Sequence, residues 1–179
     1  MKFFYTLSYF LILLIAFSSC EKIKDAVTED FYTTISMEIP VIVEDTTTIA
    51  KSGLVSYSFS ASKTVSLEDN ENVTDYLDLI KKIEITDVNI VFSGLTDNQV
   101  IEKIDISVEG VGMIASIENI TPSELNFHPD VNSSLLILVA NKLYLSKQLT
   151  VTVEGTSNEA PMDFTVNSYF NLHIEARPG

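Results

Sequence analysis

From Phe31 the odd positions Phe31, Thr33, Ile35, Met37, Ile39, Val41 and Val43 are nearly all apolar, while the even ones Tyr32, Thr34, Ser36, Glu38, Pro40, Ile42 and Glu44 are mostly polar. Successive side chains of a strand face opposite ways, so this segment predicts a strand with one dry face and one wet one. Pro40 has no N–H for a ladder, which places the strand at a sheet edge or a bulge at that residue. A polar loop, EDTTTIAKSG, leads to a second strand with Val55, Tyr57, Phe59 and Ala61 inward and Ser56, Ser58, Ser60 and Ser62 outward. In LEDNENVTDYLDLIKK the period lengthens: Val73, Leu77 and Ile80 recur at helical spacing beside Tyr76. With Asn70 or Asn72 as its cap, this predicts a helix of about ten residues.

Alternation then returns. Val88, Ile90 and Phe92 share a face, and the phase slip between Ile85 and Val88 predicts a bulge or the end of the helix. After the turn LTDNQ comes a strand with Val100, Ile104, Ile106 and Val108 inward, and after Gly110 another with Val111, Met113, Ala115 and Ile117. The polar, proline-containing loop NITPSELNFHPDVNSS follows. Residues 133–146, within SSLLILVANKLYLSKQ, lack strict alternation and read as a buried helix, with a strand as the alternative for so short an apolar run. The strand LTVTVEG and the turn TSNEAP precede the cleanest segment, with Met162, Phe164, Val166, Phe170, Leu172, Ile174 and Ala176 on one face. About seven strands and two short helices result. Sheets with one dry and one wet face are antiparallel and bury their dry faces against each other, so the expectation is an all-β antiparallel sandwich, Ig-like or jelly-roll-like.

Before Phe31 the pattern is of another kind. Met1 and Lys2 precede fifteen uncharged residues, Phe3 to Phe17, and then Ser18, Ser19 and Cys20. A charged start, an apolar run and small residues are the layout of a secretory signal. The run is broken by Thr6 and Ser8 and falls short of the roughly 18 to 20 apolar residues a membrane span needs. FSSC resembles the lipobox of bacterial lipoproteins, with Phe17 where leucine is commonest; the resemblance implies that Cys20 carries palmitate-type acyl chains and becomes the first mature residue. An ordinary cleaved signal with an incidental cysteine is the alternative. Residues 1–19 are thus read as a signal peptide, 20–30 as a tether and 31–179 as one domain. The charged EKIKD after Cys20 resembles the export signals of Bacteroidota surface lipoproteins, which implies an outer-membrane or cell-surface address, facing periplasm or exterior.

Cys20 is the only cysteine, so the domain folds without a disulfide. The 160 residues from Cys20 onward are enough to bury about 70% of the unfolded surface. The net charge of −14 becomes −15 once Lys2 leaves with the signal, which argues against nucleic acid as a partner and against lying flat on anionic lipid.

Chemistry-bearing motifs are sparse. GVGMIA at 110–115 has the letters of a dinucleotide fingerprint, but alternation continues through it, so its glycines read as a turn between strands. His128 lies in the long loop and His173 on the polar face of the last strand, neither with zinc-ligand spacing around it. LEDNENVTD crowds Asp69, Glu71 and Asp75, oxygen donors of the kind calcium takes, without the glycine of an EF-hand; helix capping is the plainer role. DTT at 45–47 resembles O-glycosylation sites of Bacteroidota envelope proteins. Tyr32 and Tyr169 project from polar faces, with His173 further along that of Tyr169, as a shallow surface for sugars or peptides or as cross-strand neighbours. The expectation is a lipid-anchored, non-catalytic binding or structural module of the envelope, with no cofactor and a protein or glycan partner. An envelope hydrolase with dispersed residues and a calcium-stabilised adhesin are the alternatives.

Overall fold

The computed structural model describes residues 28–45, 48–51 and 54–177. The proposed signal, Cys20 and all of the tether before Thr28 lie outside the described residues. The chain forms β1 (Glu29–Val43), β2 (Thr48–Lys51), β3 (Leu54–Ser66), β4 (Ile80–Ser93), β5 (Ile101–Val108), β6 (Gly112–Ile120), β7 (Asn126–Phe127), α1 (Ser133–Ser146), β8 (Gln148–Ser157) and β9 (Met162–Ala176). Two antiparallel sheets result, one in the order β1-β9-β4-β7 and the other β2-β3-β8-β5-β6. Apart from the β2–β3 and β5–β6 connections, each link carries the chain from one sheet to the other. That winding, four strands in each sheet with β2 added beside β3, is a jelly roll. The sandwich expectation holds, and the strand order selects the jelly roll over the Ig-like form.

The period-2 pattern places the core. In β1 all of Ile35, Met37, Ile39, Val41 and Val43 are buried, and in β9 the whole predicted face from Met162 to Ala176 is. Each such aliphatic or aromatic side chain contributes about 1.5–3 kcal/mol on leaving water. Pro40 pairs with Thr165 with no slip in register, because β1 is an edge strand and needs no donor on its outer side.

Four register shifts change faces among the described strands; the first, between Ile80 and Lys82, lets both Ile80 and Ile83 face the core, and one of the other three was signalled by the sequence. The slip between Ile85 and Asp87 is where the phase breaks in β4. A third, between Ile101 and Lys103, turns Ile101 inward in place of Val100. A fourth pairs Ile106 with Ala115 but Ser107 with Met113, so the extra residue Ile114 enters the core and Met113 stands 57% exposed, against expectation. Val55 is likewise exposed, near the start of β3.

The helix expected around residues 70–80 does not form. Two 3-10 turns, Leu67–Asp69 and Thr74–Tyr76, take its place, and Ile80 begins β4. Ser66 and Asp69 close a capping box on the first turn, and the Asn70 side chain accepts from Asn72 N at 3.0 Å while donating to Thr33 and Thr34. Asparagine bonding its neighbours' backbone competes with helix, and here it wins. Val73 still reaches the core.

Residues 133–146 are helical, with Asn132 Oδ1 accepting from Ser134 N at 2.8 Å and Lys147 closing the end in the left-handed region. The helix is not buried all round. Val139, Ala140 and Leu143 are, whereas Ile137, Leu138 and Leu145 are exposed.

Ser168 occupies an inward position of β9 between Met37 and Ile90, fully buried, and its hydroxyl has no partner among the described residues. An orphaned hydroxyl costs about 1–3 kcal/mol of desolvation. Ser168→Ala is therefore expected to raise the melting temperature by roughly 2–4 °C, and calorimetry checks it.

Candidate functional site

Among the described residues, the outer face of the first sheet carries the exposed aromatic Tyr32 and the ion pairs of Lys82, Glu84, His173 and His128. Register fixes the central row: Tyr32 of β1 pairs with His173 of β9, and His173 with Glu84 of β4. Same-face neighbours on adjacent strands lie close enough to touch. The Tyr32 and His173 rings stack with centroids 4.8 Å apart and planes 20° from parallel. Tyr32 is 75% exposed, so its other face is open to solvent.

Beneath it the charges are fixed. His173 Nδ1 lies 3.0 Å from Glu84 Oε2, and Lys82 Nζ lies 2.6 Å from Glu84 Oε1 and 3.3 Å from Glu175 Oε1. The Lys82 ammonium, and then the His173 ring, hold the Glu84 carboxyl below the usual carboxylate range. Glu84 and Glu175 in turn push Lys82 above the usual lysine value. An ionised carboxylate only accepts, so His173 carries its proton on Nδ1 and leaves Nε2 as the ring's acceptor when neutral.

The stability linkage follows from the sign of the Glu84 shift. A folded-state value below the unfolded one contributes stability above the unfolded value, and this is lost as pH falls through the folded one. Melting curves of Glu84→Gln and the parent chain are expected to differ by a small, salt-sensitive margin at neutral pH and to converge in acid below the usual carboxylate range.

A second row lies beside the first. Thr34 Oγ1 donates to Asn171 Oδ1 at 2.7 Å, Asn171 Nδ2 donates to Asp87 Oδ2 at 3.2 Å, and His128 Nδ1 is 3.9 Å from that same oxygen. Tyr169 occupies the row after that, paired with Ser36 on one side and Asn89 on the other. The face is thus a flat array of hydroxyls, amides and paired charges with one projecting ring. Of the residues singled out from sequence, Tyr32 and His173 come together and Tyr169 lies on the same face. Lys82, Glu84 and Glu175 were missed, since the pairing of strands 90 residues apart leaves no local signal.

Neither histidine has a serine in hydrogen-bond contact among the described residues. His173 and Glu84 have the mutual geometry of a base and its orienting carboxylate. Asp69 is used in the cap, its carboxylate accepting from Ser66 N at 3.3 Å. Among the described residues no three of His, Cys, Asp and Glu gather to hold a metal, Asp69, Glu71 and Asp75 included. GVGMIA forms the end of the β5–β6 turn and the start of β6, with Gly110 at φ +79° and Gly112 at φ +106°, as read from its alternation.

No protein-family model matches the chain, and no curated protein matches it. Among solved structures it is similar to that of Desmodium yellow mottle tymovirus, at 8% identity and a TM-score of 0.39 over 84% of each chain. A Nora virus structure is matched at 12% identity and a TM-score of 0.39, over 86% of this chain and 62% of that one. Turnip yellow mosaic virus is matched at 6% identity and a TM-score of 0.35, over 85% of this chain and 96% of that one.

Proposed function

We propose that the chain is a lipid-anchored, non-catalytic binding module of a bacterial cell envelope, held by acyl chains on Cys20 and recognising a glycan or protein with the outer face of its first sheet. The observation that carries the recognition site is the ring of Tyr32, three-quarters exposed yet held flat against His173. An aromatic fixed in advance offers a stacking surface at little cost in conformational entropy. Thr34 and Asn171 in the next row and Tyr169 in the row beyond add hydroxyls and an amide that suit a polar ligand. The anchor is supported by the signal layout and by FSSC at its end.

Oligosaccharides released from the envelope, titrated against the immobilised full chain, test this reading. Loss of one aromatic stack is worth about 0.5–1.5 kcal/mol, so Tyr32→Ala is expected to weaken retention roughly 2- to 10-fold. Retention unchanged by that substitution would remove Tyr32 from the site. The His173–Glu84 contact favours one rival, an envelope hydrolase using that pair as its base. Shortened oligosaccharides that appear with the parent chain and vanish with Glu84→Gln would establish it.

A further inference from the structure

The register places the start of the described domain and α1 at one end of the sandwich. Glu29 at the start of β1 pairs with Ala176, which also pairs with Ile80 at the start of β4. Ser66 at the end of β3 pairs with Gln148 at the start of β8, and Asn70 beyond it donates to Thr33 Oγ1 at 3.1 Å, so the second sheet's corresponding ends lie here too. Leu67 N donates to Lys147 O at 2.8 Å, bringing the C-terminus of α1 to the same place. The β5–β6 turn joins them, since Val108 pairs with both Val151 and Gly112.

The exposed apolar side chains are distributed unevenly over this frame. Tyr32, Met113, Ile137, Leu138 and Leu145 belong to the half of the sandwich at which β1 begins. Among the described residues Ile42 and Val55 are the other large exposed apolar side chains, and both sit toward the opposite end. Ile137, Leu138 and Leu145 share the exposed face of α1, and an apolar face on an otherwise polar surface marks a contact.

Charge says which contact. From Val131 to Val153 the chain has no Asp or Glu and carries Lys142 and Lys147, although its net charge is −14. An anionic headgroup layer repels the acidic remainder of the molecule and tolerates this segment, which favours approach through α1. Reach agrees, because Cys20 precedes Glu29 by nine residues, a span of at most about 30 Å.

We propose that α1 rests on the bilayer in which Cys20 is anchored, with Ile137, Leu138 and Leu145 entering the headgroup and acyl boundary; this rests on the anchor reading above. The lipid then holds the domain by one end, and contact through α1 fixes its tilt.

The chain has no tryptophan, so one introduced residue reports on one place. The full lipidated chain carrying Leu145→Trp, or Ile42→Trp toward the far end, is reconstituted into phosphatidylethanolamine and phosphatidylglycerol vesicles with brominated acyl chains. Both positions are exposed, so neither tryptophan disturbs the core. Both proteins are expected to float with the vesicles, with emission from Leu145→Trp quenched about twofold or more and that from Ile42→Trp unchanged. Flotation without quenching at position 145 overturns the docking of α1 while leaving the anchor in place, and a doubled mass in that case makes a second copy the occupant. Equal quenching at both positions overturns the orientation. A chain that stays at the bottom of the gradient overturns docking and anchor together.

Discussion

Replacing Gly155 with alanine is expected to destabilise the domain by about 3 kcal/mol and to lower its melting temperature by roughly 6–12 °C. Gly155 lies in β8 between Phe59 of β3 and Ile104 of β5, in the middle of the second sheet. A Cβ there would stand 2.2 Å from Lys103 O, 2.6 Å from Phe59 Cζ and 3.1 Å from Ile104 Cα. Two of those three atoms are backbone of a paired strand. They move only if the β5–β8 ladder moves with them, and the third belongs to a ring packed edge-on against Phe164 at 5.2 Å. Overpacking of this kind is relieved by shifting a strand, not by rotating a side chain, so the cost lies at the upper end of the usual range. Urea titration of the two proteins checks it. A midpoint change equivalent to less than about 0.5 kcal/mol would mean that β8 and its neighbours approach less closely than their register requires.

Much of this fold is legible in one dimension because a half-buried strand writes its environment into every second residue. β1 and β9 do so over fifteen residues each, and their faces were predicted residue by residue. Local geometry that breaks the period is less legible. The bulges at Ile101 and Ile114 change faces without any composition signal, and Asn70 and Asn72 bear helix-capping letters while bonding to turns and to β1. In α1, apolar residues surround the whole helix, so sequence marks burial on all sides where the structure buries one. The site was half legible for a related reason. Tyr32 and His173 announced themselves as aromatics on wet faces, whereas Lys82 and Glu84 look like ordinary strand charges until β4 is laid against β9.

The second large effect concerns how the molecule is held. If Cys20 is acylated, attachment rests on buried methylenes, each worth about 0.8 kcal/mol, and two or more chains on one residue anchor durably. The exposed apolar residues of α1 supply far less contact than that, and the acidic surface elsewhere opposes binding. Serine in place of Cys20 accepts no thioether-linked lipid, so nearly all of the membrane affinity should disappear at once while the fold is retained, since the core of the described residues is built from Phe31 onward.

Phase partitioning in Triton X-114 after expression of the full chain in a bacterial envelope reads this directly. The parent chain is expected in the detergent phase and Cys20→Ser in the aqueous phase. A Cys20→Ser chain that still enters the detergent phase as completely as the parent would contradict the anchor, and with it the reading of this domain as a module fastened to an envelope by lipid.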